Sequence, residues 1–104
     1  MIQVLTRQEV QSKLDNGETF VLDFYADWCG PCKMLGQNLM ALVSEETNFP
    51  IYKFDIEADG EFAVQLGVRS IPFIKFFKEG KDFKQKVGVI PNQLIKEEYE
   101  SMLN

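Results

Sequence analysis

The chain has 104 residues and a formal net charge of −5 at neutral pH, which is the size of one small domain. Its hydrophobic fraction is 45%, with nine phenylalanines, so a core can form without a metal or structural disulfides. The acidic balance argues against nucleic acid as a partner, because that binding needs clustered lysine and arginine. No apolar run approaches the roughly 20 residues of a transmembrane helix.

Residues 2–5 are read as a short first strand. Thr6-Arg7-Gln8-Glu9 has the capping-box pattern, a hydroxyl followed three residues later by a carboxylate. The helix it opens carries Val10 and Leu14 inward and ends at Asn16-Gly17. Residues 19–25 are nearly all apolar, as in a strand buried on both faces of a parallel or mixed sheet. Leu35, Leu39 and Leu42 then recur at helical spacing. Asn48-Phe49-Pro50 breaks the chain before an alternating strand over residues 51–55. Residues 61–66 form a short helix capped by Gly67, and residues 73–77 a strand headed by Pro72. Lys78-Glu79-Gly80-Lys81 is a hairpin turn, with residues 83–89 returning antiparallel and Gly88 interrupting them. Pro91 opens a last helix with Leu94, Ile95, Tyr99 and Met102 as its apolar stripe. No linker or repeat divides the chain, which reads as one domain over residues 1–104. The N-terminus shows no basic stretch or cleavage site, and with Met1 in place the expected compartment is the cytoplasm.

The chemistry sits at Trp28-Cys29-Gly30-Pro31-Cys32, which holds the only two cysteines and the only tryptophan. The segment lies between the buried strand and the long helix. A helix N-terminus offers free N–H groups and partial positive charge, which stabilise a thiolate. Residues three apart in a first helical turn share one face, within reach of a disulfide. The loop so closed is very small and does little for stability through chain entropy; such a bond is made and broken rather than kept. Gly30 lets a partner backbone approach the first sulfur, and Pro31 fits the first helical position, where a missing N–H costs nothing. A zinc site needs about four ligands, yet the chain has no histidine and no further cysteine. An iron–sulfur cluster would need a second chain to complete its ligands. No metal and no cofactor is therefore expected. There is also no glycine-rich loop for a nicotinamide or flavin.

Asp23 breaks the apolar strand. It either faces water or is buried at a cost; its apolar flanks favour a buried acid of raised pKa behind the dithiol. Lys53 is either a snorkelling lysine or, if its strand neighbours that of Asp23, a partner for the carboxylate.

The string Asp23-Phe24-Tyr25-Ala26-Asp27-Trp28-Cys29-Gly30-Pro31-Cys32-Lys33, followed by Lys53, Ser70-Ile71-Pro72, Gly80 and Gly88, resembles the thioredoxin family over nearly the whole chain. A C-x-x-C beside a βαβ pattern is itself a redox signature of that family. The resemblance implies an α/β fold of order βαβαβαββα, a mixed central sheet flanked by helices. It implies a cis Pro72 lying against the dithiol, and a shallow substrate-binding surface of Trp28, Gly30, Pro31, Ile71, Pro72, Gly88 and Val89. It also implies Asp23, with Lys53, as the buried acid–base pair. Three residues depart from the family pattern. Phe73 stands where threonine is usual, Gln37 where a helix-kinking proline is common, and Lys75 lies in a strand that is usually all apolar.

The expected activity is thiol–disulfide exchange as a protein-disulfide reductase. Cys29 attacks a substrate disulfide and Cys32 resolves the mixed disulfide, with Asp23 as the base. The expected partners are disulfide-containing proteins and an NADPH-dependent flavoprotein thioredoxin reductase, with the protein a monomer engaging neither nucleic acid nor membrane. Gly-Pro between the cysteines resembles the reducing members; the oxidising ones commonly carry a histidine there. A binding module with an incidental dithiol is the competing reading.

Overall fold

A computed structural model describes residues 1–104. Its elements are α1 (Arg7–Asp15), β1 (Phe20–Tyr25), α2 (Gly30–Glu45), β2 (Ile51–Asp55), α3 (Gly60–Gln65), β3 (Phe73–Lys78), β4 (Lys81–Val87) and α4 (Asn92–Met102). The four strands form one sheet in the order β2-β1-β3-β4. β1 and β2 are parallel, while β3 is antiparallel to both β1 and β4.

The capping box at Thr6 forms as the sequence requires: Thr6 Oγ1 accepts from Glu9 N, and Glu9 Oε1 accepts from Thr6 N. The expected first strand does not form. Val4 makes a single parallel bridge to Lys53, with Leu5 N donating to Lys53 O and Lys53 N to Gln3 O. Contact with one residue of β2 is too short for a ladder, so the order is αβαβαββα. Other bounds shift by a residue or two. α3 starts at Gly60 because Asp59 caps it, and the return strand spans Lys81–Val87, ending before Gly88. Pro31 takes the second helical position, because α2 begins at Gly30. Pro91 caps α4.

The alternation of β1 explains its apolar run. Phe20, Leu22 and Phe24 join the core under α1 and α3, with Val10, Phe54, Phe62 and Phe77. Val21 joins the other core, with Leu35, Leu39 and Leu42 of α2 and Ile95 and Met102 of α4. The three leucines are each at most 1% exposed, and burial stabilises by about 1.5–3 kcal/mol per side chain. The stripe of α4 also holds a buried carboxylate, Glu98, which pairs with Lys84 and Lys86 of β4. Of the three departures, Phe73 fills the first core edge-on to Phe24, and Gln37 is exposed on an unbroken α2. Lys75 is buried on the α1/α3 side.

Glu79 and Gly80 both take positive φ, 52° and 77°, the geometry of a tight two-residue hairpin. The turn packs on the α1–β1 loop: Gly80 N donates to Glu18 O, and Glu79 N to Thr19 Oγ1. A Cβ on Gly80 would stand 2.2 Å from the Leu14 carbonyl oxygen. Gly80→Ala should therefore cost at least about 2 kcal/mol in chemical denaturation. A loss below about 0.5 kcal/mol would mean that the turn moves freely off α1.

Candidate active site

β1 ends at Tyr25, and α2 begins five residues later. Cys29 is the N-cap of α2, with φ −91° and ψ 107°, and its Sγ accepts a hydrogen bond from Cys32 N at 3.2 Å. A sulfur thus fills the place that serine or aspartate usually takes at a helix start. Cys32, at the third helical position, is bonded to Cys29, with Cα atoms 5.2 Å apart. The structure is the oxidised form. The two cysteines are 5% and 2% exposed, so burial alone hardly separates them. Their positions do: Cys29 faces the free N–H groups of the helix end, and Cys32 lies inside the first turn. After reduction, the Cys32 amide and the helix dipole favour negative charge on Cys29.

Ala26, Cys29 and Cys32 form a small apolar cluster, against which Tyr25, Ile56 and Ile71 pack. The Ile71–Pro72 peptide is cis, and Pro72 O accepts from Gly88 N at 2.8 Å, so the loops bearing Ile71 and Val89 are tied together. Of the expected docking surface, Trp28, Gly30, Pro31 and Val89 are exposed, Ile71 and Gly88 half-buried, and Pro72 buried. Trp28 is 69% exposed, and its indole N–H donates to Glu57. An apolar groove of about 520 Å³ continues from Trp28 and Ile71 along Ala63 and Val64 of α3 to Val68 and Arg69. Neither Glu57 nor this groove carried a sequence signal, because both are made by residues far apart in the chain.

Asp23 is fully buried on the β1 face that also carries Val21, under α2. Neither carboxylate oxygen has a hydrogen-bond partner. Burial pushes its pKa up to about 7, and the charge of Lys53 pulls it partly back. Lys53 is the register partner of Asp23 on β2. Its ammonium does not bond the carboxylate. It lies 4.2 Å from the centroid of the Tyr25 ring and beside Gly36, whose missing Cβ would be 3.4 Å from Nζ. A larger residue at position 36 would crowd this amine. No group of histidine, cysteine and carboxylate side chains is arranged to hold a metal.

The family model described as Thioredoxin matches residues 1–100. The chain belongs to the thioredoxin family. The thioredoxin of Chlamydia muridarum is 42% identical over 89 residues, covering 86% of each chain. That of Mycoplasmoides gallisepticum is 33% identical over 97 residues, covering 93% of this chain and 97% of the relative. Among solved structures, a mutant thioredoxin from Halobacterium salinarum superposes with a TM-score of 0.84 at 30% identity, covering 99% of this chain and 90% of that one. The oxidised mitochondrial thioredoxin 3 of Saccharomyces cerevisiae gives 0.81 at 29% identity, covering 95% and 94%. Family membership and the bonded Cys29–Cys32 pair make the chain a thiol–disulfide oxidoreductase of the thioredoxin fold. Disulfides are the substrates of this family. No helix is long and apolar enough to cross a membrane.

Proposed function

We propose that the protein runs in the reducing direction, as a general protein-disulfide reductase. The observation that carries this reading is Gly30-Pro31 between the cysteines, which leaves Cys29 Sγ at the N-cap with the Cys32 amide and no histidine beside it. That seat favours the Cys29 thiolate enough for attack, while with no histidine between the cysteines the reduced form lacks the extra stabilisation that turns such a pair into an oxidant. The Cys29 thiolate attacks one sulfur of the substrate disulfide. The S–S bond breaks and the first substrate thiolate leaves. Cys32 gives its proton to ionised Asp23 and attacks Cys29 Sγ. The Cys29–Cys32 bond forms, and the second substrate thiolate leaves and takes up a proton. Two electrons have passed to the substrate.

Trp28, Gly30, Pro31, Ile71, Pro72, Gly88 and Val89 receive the substrate as an extended chain, with Asp23 as base and Lys53 tuning it through space. An NADPH-dependent flavoprotein thioredoxin reductase returns the electrons. The chain acts as a monomer and as one domain over residues 1–104, in the cytoplasm. Its only cysteines are the redox pair, as expected in a compartment where disulfides are transient. The test is the reduction potential of Cys29–Cys32 in glutathione buffers. A value below the glutathione poise is expected. A value well above it would make the protein an oxidant or isomerase, and a pair that never closes would leave only a binding module.

A further inference from the structure

Lys75 is the one lysine buried in the core, with its side chain 5% exposed. It stands at the middle of β3, on the face that also carries Phe73 and Phe77. A lysine there loses most of its hydration, which is costly unless its donors are satisfied. Two partners satisfy it. Nζ donates to the Leu66 carbonyl at 2.6 Å and pairs with Asp82 Oδ2 at 3.1 Å. Leu66 is the C-cap of α3, followed by Gly67 at φ 91°, so the ammonium closes a carbonyl at the negative end of that helix. Asp82 belongs to β4 and is itself 72% exposed.

The chain beyond Leu66 runs through segment 67–72, which includes Ile71 of the docking surface. Val68 N donates to Ala63 O, and Pro72 O accepts from Gly88 N. Arg69, Ser70 and Ile71 make no backbone hydrogen bond of their own. Their position is therefore set by what holds the two ends of the segment. Gly88 holds the downstream end from the exit of β4. Lys75 holds the upstream end and is paired to β4 through Asp82. Both ends are thus braced on the β3–β4 hairpin.

We propose that Lys75 is a positioning residue for protein substrates: by holding the Leu66 carbonyl it fixes segment 67–72, and with it Ile71 and the Val68–Arg69 wall of the groove beside Trp28. It touches neither the dithiol nor the substrate. The inference rests on the docking surface proposed above and adds the residue that sets its shape.

The test compares a protein disulfide with one too small to use the loop. Prereduced wild type, Lys75→Met and Lys75→Arg are mixed with insulin, and separately with the small aromatic disulfide 5,5′-dithiobis(2-nitrobenzoate). Single-turnover oxidation is followed by Trp28 fluorescence over a concentration series. Lys75→Met should raise the half-saturating insulin concentration about fivefold and leave the limiting rate and the small disulfide within about twofold. Lys75→Arg should restore most of the loss. Equal slowing with both disulfides, or no change with either, overturns the inference. If Lys75→Met does not fold, Lys75→Leu replaces it among Phe73 and Phe77; if neither folds, Lys75 serves folding and the inference fails. A wild type that reduces neither disulfide would instead overturn the reductase reading, leaving Lys75 no substrate to position.

Discussion

Exchange of Cys32 for serine is expected to turn the protein from a turnover catalyst into a trap. Cys29 keeps its N-cap seat, because the hydrogen bond it accepts comes from the backbone amide of residue 32, not from the side chain. Attack on a substrate disulfide should therefore proceed. The resolving sulfur is gone, so the mixed disulfide should accumulate to one equivalent and multiple-turnover reduction should fall to background. Cys29→Ser should remove both activities, since the remaining thiol sits inside the first turn, away from the free N–H groups at the helix end that favour a thiolate. Non-reducing electrophoresis and mass mapping of the adduct settle the assignment. An adduct on Cys32 in Cys29→Ser, with none on Cys29 in Cys32→Ser, would reverse the roles. No adduct in either variant would remove the exchange mechanism, and a function that survives loss of both cysteines would favour the binding module.

The parts of this site that could be read in the sequence are local. A dithiol between a buried strand and a leucine-striped helix leaves little choice about where the sulfurs lie. Asp23 announced its burial because both its neighbours along β1 are core residues. The rest depends on pairings made across the chain. The bridge of Val4 to Lys53 depends on how far the N-terminal segment follows β2. Ile2-Gln3-Val4-Leu5 does not encode that length, so the segment reads as a strand where one bridge forms. The sequence leaves Lys53 as a snorkelling lysine or a partner of Asp23; the register places the two opposite each other, and the ammonium lies over the Tyr25 ring beside Gly36. Lys75 looked only like a flaw in an apolar strand. Its partners, a helix-terminal carbonyl nine residues earlier and a carboxylate on β4, exist only once the sheet has formed. The cis Ile71–Pro72 peptide came from family resemblance and not from the residues, since sequence alone does not choose between isomers.

Removing the buried carboxylate should make the protein more stable and slower. In the folded chain Asp23 has a pKa of about 7, against an ordinary 3.8, because burial disfavours its charged form. Below pH 3.8 the group is neutral in both the folded and unfolded chains and costs nothing through ionisation. As pH rises from there to 7, the unfolded chain ionises freely while the folded chain resists, so stability falls across that window. Above pH 7 the deficit is constant. At about 1.4 kcal/mol per pH unit, the full displacement amounts to about 4 kcal/mol. Asp23→Ala escapes this cost but leaves a small void, so a net gain of about 2 kcal/mol at pH 8, fading by pH 4, is the expected result in urea titrations. The same exchange removes the base for Cys32. Release of substrate from the mixed disulfide at neutral pH should slow by at least about tenfold, and its inflection near pH 7 should vanish. A stability gain that does not change with pH would mean that Asp23 is not held neutral by burial. An unchanged release rate and profile would leave Asp23 a structural residue and assign the proton of Cys32 to solvent.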